Sequence, residues 1–416
     1  MHKKRPGRPS LGLLRPKFLS LLFNSLLLIV VRGGAQTYDT NNVFVQTFAG
    51  SGLFGYYDGQ GILTMFNGPS AIVSDLSSNL LVLDSQNSLI RKITPDATVS
   101  TYYNYSGFQA GPQMAIDRSN ALYMCSPGNY VLRLSSNGLM TQINVPISGF
   151  GNPLGLCFDS ASQFYVSDGN GNRICRRDTN GVWEVFAGSG NIGAIDGNWI
   201  FTSFNTPRAL AADTANNIYV WDSGNRLIRR INPERDVETI AGSNNGFGVP
   251  EMDGAGTNAT FNTIQDMRLD AFGNLILACS TSIRRMSPTT NVSTIAGSFT
   301  ESGYINGPGS QARFRNAAGI SLSQGMIFVA DANDHRIRRI TFNATNQPVD
   351  GANLSLIMFP GLEINGIVGR TYRIESSTNL SYWKTEGTVL LTSNPFEWID
   401  RIGATQRKFY RAFLLP

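Results

Sequence analysis

The chain has 416 residues, enough for one large and one small domain, and it is 42% hydrophobic, only 15% charged and rich in glycine, with 43 residues. This composition favours short strands joined by turns over long amphipathic helices. The formal net charge is +5, but seven of the 34 basic residues lie within residues 1–35, which leaves 27 against 29 acidic ones. The remainder gives no electrostatic reason to bind nucleic acid or an anionic membrane.

The chain begins with a pattern typical of a secretory signal peptide, which we assign to residues 1–35. A basic region ends at Lys17, an apolar run covers Phe18–Val31, and small residues follow at Gly33–Ala35. The alternative is an uncleaved membrane anchor, although 14 residues are fewer than the roughly 20 that span a bilayer. We therefore expect a protein exported to the periplasm, the cell surface or the medium, with no transmembrane anchor after cleavage.

Residues 43–341 contain six copies of one β-rich pattern: an apolar strand, a turn, an N-L-x-V-x-D-like strand, a polar loop and an I-R-R-I strand, with a fourth strand between copies. From Asp84 onward the second strand recurs after 41, 43, 54, 57 and 52 residues. Four short strands per unit of this length are typical of a β-propeller blade. The second strands are predicted at Leu80–Asp84, Ala121–Cys125, Phe164–Asp168, Ile218–Asp222, Leu275–Cys279 and Ile327–Asp331.

The longer copies read V-x-T-x-A-G-S-G…D-G…F-x-x-P…D…N-x-x-I-R-R-I, which resembles the NHL repeat. The resemblance implies an all-β, six-bladed propeller of the exported bacterial type. The last copy stops at Ile340 without a fourth strand, whereas Val43–Gly50 is a fourth strand without the other three. We predict that this N-terminal strand completes blade six and closes the ring, rather than forming an edge strand on blade one.

Blades one, four, five and six carry an insert of about a dozen residues before the first strand. We expect its Asp-Gly pair, which is Asn306-Gly307 in blade six, to share one rim with the end of the second strand. Turn formation is the default role of such residues. The third-strand arginines (Arg91, Arg229, Arg338) are interpreted as solvated or structural charge paired with carboxylates or carbonyls. The insert phenylalanines, predicted to pack between blades, are Phe66, Phe204, Phe261 and Phe314.

The functional hypothesis for the same rim is a binding face, because variable loops on a rigid scaffold commonly carry recognition. Aromatic rings beside amides suit a protein or glycan partner. The candidate binding residues are Tyr56, Tyr57, Asp58, Asp84, Asn87, Asp196, Trp199, Asp222, Asn225, Phe247, Glu251, Asp253 and Asp331.

The same spacing places the four cysteines where disulfides are not expected. Cys157 lies on a first strand and Cys175 on the third strand of the same blade, so one strand separates them and their Cα atoms exceed the roughly 7 Å limit. We predict four free, buried thiols, including Cys125 and Cys279.

Propeller enzymes that this architecture resembles use a metal held by histidines, or by carboxylates in the central channel. Beyond residue 35 there is one histidine, His335, and no G-x-S-x-G motif. The channel carboxylates recur at the same position directly before a turn, which indicates turn formation; they are Asp75, Asp117, Asp159, Asp213 and Asp270. We therefore predict no catalytic residues, metal or cofactor, and keep a lactonase, hydrolase or lyase with a channel-bound divalent metal as the alternative.

A linker at residues 342–351 is followed by strand patterns over residues 352–416. This tail resembles the small immunoglobulin- or fibronectin-like sandwich modules of exported bacterial proteins, with Trp383 and Trp398 predicted in its core. The resemblance implies surface attachment or sorting, and a plain stabilising appendage is the alternative. Taken together, the sequence predicts a monomeric, non-catalytic binding or scaffold protein.

Overall fold

The computed structural model describes residues 42–106, 111, 113–244 and 249–342, and, in the C-terminal part, residues 353–357, 361–365, 367, 369–377, 383–392, 396–399 and 409–415. These residues are β-strands and loops apart from four single-turn 3-10 helices, at Gly61–Leu63, Ser85–Asn87, Gly256–Asn258 and Ala332–Asp334. Within these described ranges there is no helix with the length and apolar character needed to cross a membrane.

Six antiparallel sheets form the blades of a propeller, as predicted. The first strands of neighbouring blades contact one another in the order one to six and back to one. The strands are β1 (Val43–Ala49), β2 (Gly59–Gln60), β3 (Pro69–Ser74), β4 (Leu80–Asp84), β5 (Leu89–Ile93), β6 (Thr98–Asn104), β7 (Met114–Ile116), β8 (Leu122–Cys125), β9 (Tyr130–Leu134), β10 (Met140–Asn144), β11 (Pro153–Phe158), β12 (Phe164–Asp168), β13 (Arg173–Arg177), β14 (Trp183–Ala187), β15 (Gly197–Asn198), β16 (Pro207–Ala212), β17 (Ile218–Asp222), β18 (Leu227–Ile231), β19 (Asp236–Gly242), β20 (Gly254–Ala255), β21 (Asp266–Leu269), β22 (Leu275–Cys279), β23 (Ser282–Met286), β24 (Asn291–Gly297), β25 (Gly307–Pro308), β26 (Ala317–Ser323), β27 (Met326–Asp331) and β28 (Arg336–Phe342).

The N-terminal strand lies where the sequence predicts it. β1 pairs antiparallel with β28 of blade six, from Val43 opposite Phe342 to Ala49 opposite Ile337. Blade six is therefore built from both ends of the propeller sequence, and its backbone hydrogen bonds tie those ends together.

Four blades have one strand more than predicted. In blades one, four, five and six a two-residue strand of the insert (β2, β15, β20 or β25) pairs with the outer edge of the fourth strand. Blades two and three have four strands, β7–β10 and β11–β14. The short strand covers part of an edge that would otherwise expose unpaired N–H and C=O groups.

The core lies between the blades. Every residue of the second strand β4, Leu80–Asp84, is buried, because neighbouring blades cover both faces of each sheet. Phe66 and Phe204 have no exposed surface. Phe66 packs with residues of blades six and one, and Phe204 packs with residues of blades three and four. The predicted wedge role of the insert phenylalanines is confirmed.

The C-terminal part contains two three-stranded antiparallel sheets, in the orders β29–β30–β33 and β32–β31–β34. Tyr372 and Ile374 are buried and Trp383 is half-buried, whereas the side chain of Trp398 lies outside the described residues. The sandwich resemblance therefore stays a prediction. The strands are β29 (Asn353–Ile357), β30 (Gly361–Asn365), β31 (Thr371–Ser377), β32 (Lys384–Leu390), β33 (Phe396–Ile399) and β34 (Phe409–Leu414).

Candidate binding rim

Each insert is held by one buried arginine of the third strand, which we call the anchor arginine. The anchor arginines are Arg91, Arg229, Arg284 and Arg338. Arg229, for example, donates from Nη1 to the Ser203 carbonyl at 3.2 Å and from Nη2 to the Ile195 carbonyl at 2.9 Å. The predicted pairing with carboxylates and carbonyls is confirmed. Of the two interpretations, solvated or structural charge, the structural one holds, because none of the four arginines has exposed surface.

The insert phenylalanine lies directly beside the anchor. The guanidinium carbon of Arg91 is 5.1 Å from the ring centre of Phe66, and that of Arg284 is 4.5 Å from the ring centre of Phe261. This cation–π contact provides an apolar neighbour for a charge that has lost its water. One arginine thus fixes an insert through charge, carbonyls and an aromatic ring together.

The carboxylates at the ends of the second strands complete the anchor. Asp84, Asp222 and Asp331 are fully buried. Asp222 accepts from the Asn205 N–H at 2.7 Å, from Asn225 Nδ2 at 2.7 Å and from Arg229 Nη1 at 3.0 Å. Although they were selected as candidate binding residues, these carboxylates have no surface that a partner could contact.

The two selected asparagines connect the same carboxylates to the inserts. Asn87 Nδ2 donates to Asp84 at 2.7 Å and to the Gly55 carbonyl at 2.7 Å. Asn225 Nδ2 makes the equivalent bond to the Gly193 carbonyl at 2.6 Å. Both side chains hold the base of an insert in place.

Burial raises the pKa of all three carboxylates. The pKa of Asp84 is raised from its ordinary value, and those of Asp222 and Asp331 are raised to about 6. Loss of water outweighs the hydrogen bonds and the arginine charge, which act in the opposite direction.

The Asp of each Asp-Gly pair lies on the solvent side of the anchor. The side chains of Asp58, Asp196 and Asp253 are 46%, 46% and 38% exposed and pair with Arg91, Arg229 and Arg284. A second carboxylate oxygen accepts from the backbone N–H of a fourth-strand threonine, at 3.0 Å for Asp196 and Thr239. These residues lie on the rim, with their charges already engaged.

The aromatic candidates differ in exposure. Tyr56 and Tyr57 are 72% and 64% exposed. Trp199 is half-buried, and the Arg235 guanidinium carbon lies 3.9 Å from its ring centre. Phe247 lies outside the described residues. Only the two tyrosines combine a described position with a large accessible ring.

Glu251 is engaged within its own insert. Its Oε1 accepts from the Asn262 N–H at 2.8 Å, and burial raises its pKa. Glu251 therefore stabilises an insert, as the three second-strand carboxylates do.

Exposed apolar side chains concentrate on the inserts of blades one and four. Leu53 and Phe54 are 63% and 74% exposed beside the two tyrosines, and in blade four Ile192 and Phe201 are 73% and 70% exposed. Sequence reasoning selected Tyr56, Tyr57 and Trp199 in these inserts and missed these four residues. The residue before each Asp-Gly or Asn-Gly pair is also apolar in all four inserts, and this recurrence was a signal that sequence reasoning did not use.

The turn aspartates have the structural role that the sequence predicts. Asp75 accepts from the N–H groups of Ser77 and Asn79, both at 2.8 Å. Asp213 does the same with Ala215 at 2.9 Å and Asn217 at 2.8 Å. The others follow the same pattern, namely Asp117, Asp159 and Asp270.

Sequence reasoning missed a polar bridge across the channel. Gln113 of blade two donates from Nε2 to buried Asp266 of the opposite blade five at 2.6 Å. Asp266 also accepts from Arg268 Nη1 at 2.6 Å and from the Ile320 N–H of blade six at 3.0 Å. Gln113 Oε1 accepts from the Leu156 N–H of blade three at 3.0 Å. Four blades are therefore tied together at this level.

Small residues elsewhere in the same layer make the bridge possible. Gln113 and Asp266 directly precede Met114 and Met267. The equivalent first-strand positions of the other four blades hold small residues, namely Ala71, Gly155, Ala209 and Gly319. A Cβ on Gly155 would lie 2.0 Å from the Arg208 carbonyl oxygen, and one on Gly319 would lie 2.9 Å from the Ala71 Cα. The inner strands approach so closely that long side chains fit in two blades only.

A cavity of about 240 Å³ lies on the side of this bridge that faces the hairpin turns. Its wall includes Val73, Ile116, Phe158 and Leu269, and its charged lining residue is Arg268. Arg268 pairs with Asp266, so the charge at the cavity wall is neutralised, and the other lining side chains are apolar.

The cysteine prediction is confirmed: Cys125, Cys157, Cys175 and Cys279 are free and buried. His335 Nδ1 accepts from the Gly68 N–H of blade one at 3.1 Å and so joins blades six and one. Within the described part of the chain, there is no group of three His, Cys, Asp or Glu side chains arranged to hold a metal ion.

Comparisons with known proteins support the repeat assignment. No protein-family model matches the chain. NHL repeat-containing protein 2 of Gallus gallus is 24% identical over 302 residues, which cover 68% of this chain and 40% of the relative. The Bos taurus protein of the same name is 23% identical over 318 residues, covering 70% and 42%. The chain is thus similar to NHL repeat-containing proteins and spans about two fifths of these relatives.

Solved structures share the propeller fold. A protein of unknown function from Bacteroides thetaiotaomicron superposes with a TM-score of 0.61 at 21% identity, covering 72% of this chain and 76% of that one. Auxiliary nutrient binding proteins from Bacteroides thetaiotaomicron and Bacteroides ovatus both have TM-scores of 0.58, at 18% and 16% identity. They cover 72% of this chain and 76% and 77% of their own. At these identities the likeness establishes the fold alone.

Proposed function

We propose that the chain is an exported, non-catalytic binding or scaffold protein whose propeller rim engages a protein or glycan partner. The observation that carries the proposal is the set of exposed apolar side chains on anchored inserts. In blade one, Leu53, Phe54, Tyr56 and Tyr57 are between 63% and 74% exposed. Several exposed apolar side chains within one short, rigid loop are typical of interaction sites, because covering them releases water.

The rigidity of the rim favours binding further. Each insert is fixed by a buried arginine, so little conformational entropy is lost when a partner docks. The auxiliary nutrient binding proteins among the structural neighbours support a binding role in general. Residues 352–416 would help to attach or sort the protein.

The alternative function is an enzyme with a divalent metal bound in the central channel. Asp266 is a buried carboxylate that pairs with Arg268, which lines the cavity. Its oxygens accept from Gln113, Arg268 and two backbone N–H groups, so a metal would have to displace these donors. The rim needs no such rearrangement.

The test is a binding screen of labelled full-length protein against a glycan array and a peptide display library, with a Tyr56→Ser/Tyr57→Ser variant alongside. We expect ligands that bind the wild type and lose affinity for the variant. A thermal-shift series with calcium, zinc or magnesium, with and without a chelator, examines the alternative. A large metal-dependent shift without rim-dependent ligands would overturn the proposal.

A further inference from the structure

One exposed apolar residue recurs at the same position in four blades. Tyr57, Ile195, Met252 and Ile305, which we call the apolar arc, are 64%, 61%, 49% and 42% exposed. Each directly precedes the Asp-Gly or Asn-Gly pair of its insert. Turn formation requires the pair but places no requirement on the residue before it.

The backbone of every arc residue is fixed by an anchor arginine. The carbonyl oxygens of Tyr57, Ile195, Met252 and Ile305 accept from the Nη2 atoms of Arg91, Arg229, Arg284 and Arg338 at 3.2, 2.9, 2.6 and 2.8 Å. A buried charge therefore holds the main chain while the apolar side chain projects into solvent. This arrangement preorganises the four side chains for contact.

The four residues belong to consecutive blades. Around the ring the order is four, five, six and one, so the arc covers neighbouring blades and omits blades two and three, which have no insert. Four side chains in adjacent blades suit an extended ligand better than a small one.

Acidic residues predominate around the arc in three of its four blades. Residues 50–68, 188–206 and 242–262 contain no Lys or Arg, but they contain Asp58, Asp196, Glu251 and Asp253, whereas the blade-six insert carries Glu301 together with Arg313 and Arg315. In blade four, Asp196 and Asp222 share the single anchor Arg229, which leaves one negative charge, and blade one repeats this arrangement with Arg91. Over blades four, five and one the surface therefore complements a partner that carries positive charge.

The chemistry of the arc distinguishes a polypeptide from a sugar. Ile195, Met252 and Ile305 have no flat ring to stack on a sugar face and no side-chain group to bond its hydroxyls. Aliphatic side chains pack well against those of a protein. We infer that the partner is a protein segment that presents apolar residues flanked by Lys or Arg and lies along the arc. This inference rests on the proposed binding function and assigns its partner class.

The experiment selects a random 16-residue peptide display library on the full chain. The test variant carries Tyr57→Ser, Ile195→Ser, Met252→Ser and Ile305→Ser. The control variant carries Leu76→Ser, Leu139→Ser, Val182→Ser and Phe272→Ser, which replace hairpin-tip residues that are 50–71% exposed. None of the eight substituted residues lies within strands β1–β28, and circular dichroism melting should give the wild-type midpoint for both variants.

We expect the enriched peptides to combine apolar and basic residues, and to bind the test variant about tenfold or more weakly while binding the control like the wild type. Peptides that bind the test variant as tightly as the wild type would overturn the inference. Glycan binding that depends on Tyr56 and Tyr57, without any peptide enrichment, would also overturn it but leave the proposed function standing. If neither peptides nor glycans bind, both this inference and the proposed binding function are contradicted.

Discussion

Blades four, five, six and one differ from blades two and three in how they bury charge. At the anchor position the first group has arginine, whereas blade two has Leu132 and blade three has Cys175, both fully buried. The interface between blades two and three is instead closed by rings, with Phe158 and Phe164 stacked at 4.8 Å and Tyr123 5.0 Å from each. A blade can therefore form without a fully buried arginine, although blade three still buries Asp168 beside Arg173.

This difference between the two groups of blades indicates the role of the anchor arginines. A buried ion pair adds little net stability compared with apolar packing of the same volume, but it fixes geometry. Anchors occur only in blades that have an insert to position. We therefore interpret the buried charge as the means of holding the rim, and the following predictions test that comparison.

The largest effect is expected when an anchor is removed. Arg229→Ala leaves Asp222 buried without its cation, so the free energy of unfolding should fall by about 3–5 kcal/mol in urea titrations. The neighbouring Arg230→Ala removes a surface pair with Glu238, in which the side chains are 40% and 52% exposed, and should cost less than about 1 kcal/mol. Equal losses in the two variants would contradict the anchor role.

A pH effect follows from Asp222. Burial raises its pKa to about 6 from an ordinary 3.8, so the folded protein binds more protons than the unfolded chain between those values. Stability should therefore fall as the pH rises from about 4 to 6, by up to about 3 kcal/mol from this group. Asp222→Asn should remove this contribution, as measured by urea unfolding at pH 4, 5, 6 and 7. An unchanged slope would show that the folded carboxyl titrates normally.

The channel bridge joins the two groups of blades and gives a smaller effect. Gln113→Ala removes one donor to Asp266 and the acceptor of the Leu156 N–H. We expect a loss of about 2 kcal/mol, typical of unsatisfied buried groups. Gln60→Ala, an exposed glutamine, serves as the control and should stay near the wild type. A wild-type value for Gln113→Ala would mean that the bridge contributes nothing to stability.

The smallest effect on stability is expected from the rim itself. Tyr57→Ser and Ile195→Ser change exposed side chains and should shift the free energy of unfolding by about 0.5 kcal/mol or less. Losses above about 2 kcal/mol in thermal or urea unfolding would show that these residues serve the fold instead of a partner.

The sequence predicted the repeat-determined features well. Blade number, ring closure by Val43–Ala49, the turn role of Asp75 and its equivalents, and free cysteines all follow from a pattern that recurs in register. The two-residue strands, such as Gly59–Gln60, were missed because so short a segment has no periodicity of its own.

Features that depend on contacts across the ring could not be predicted from one repeat. The bridge between Gln113 and Asp266 joins residues 153 positions apart, and its only trace is a polar residue where the other blades have Ala or Gly. The burial of Asp84 and the exposure of Tyr57 likewise could not be predicted, because both residues lie in turn-forming sequences. Packing against the insert, which surrounds Arg91, decides which side chain faces inward.

The most direct test of the binding rim is hydrogen–deuterium exchange of the full chain with and without a ligand from the binding screen. We predict slower exchange in residues 50–66 and 188–204, and unchanged exchange in residues 113–116 and 266–269 at the channel. Protection of the channel segments with no change in the inserts would contradict the account and place the site in the channel.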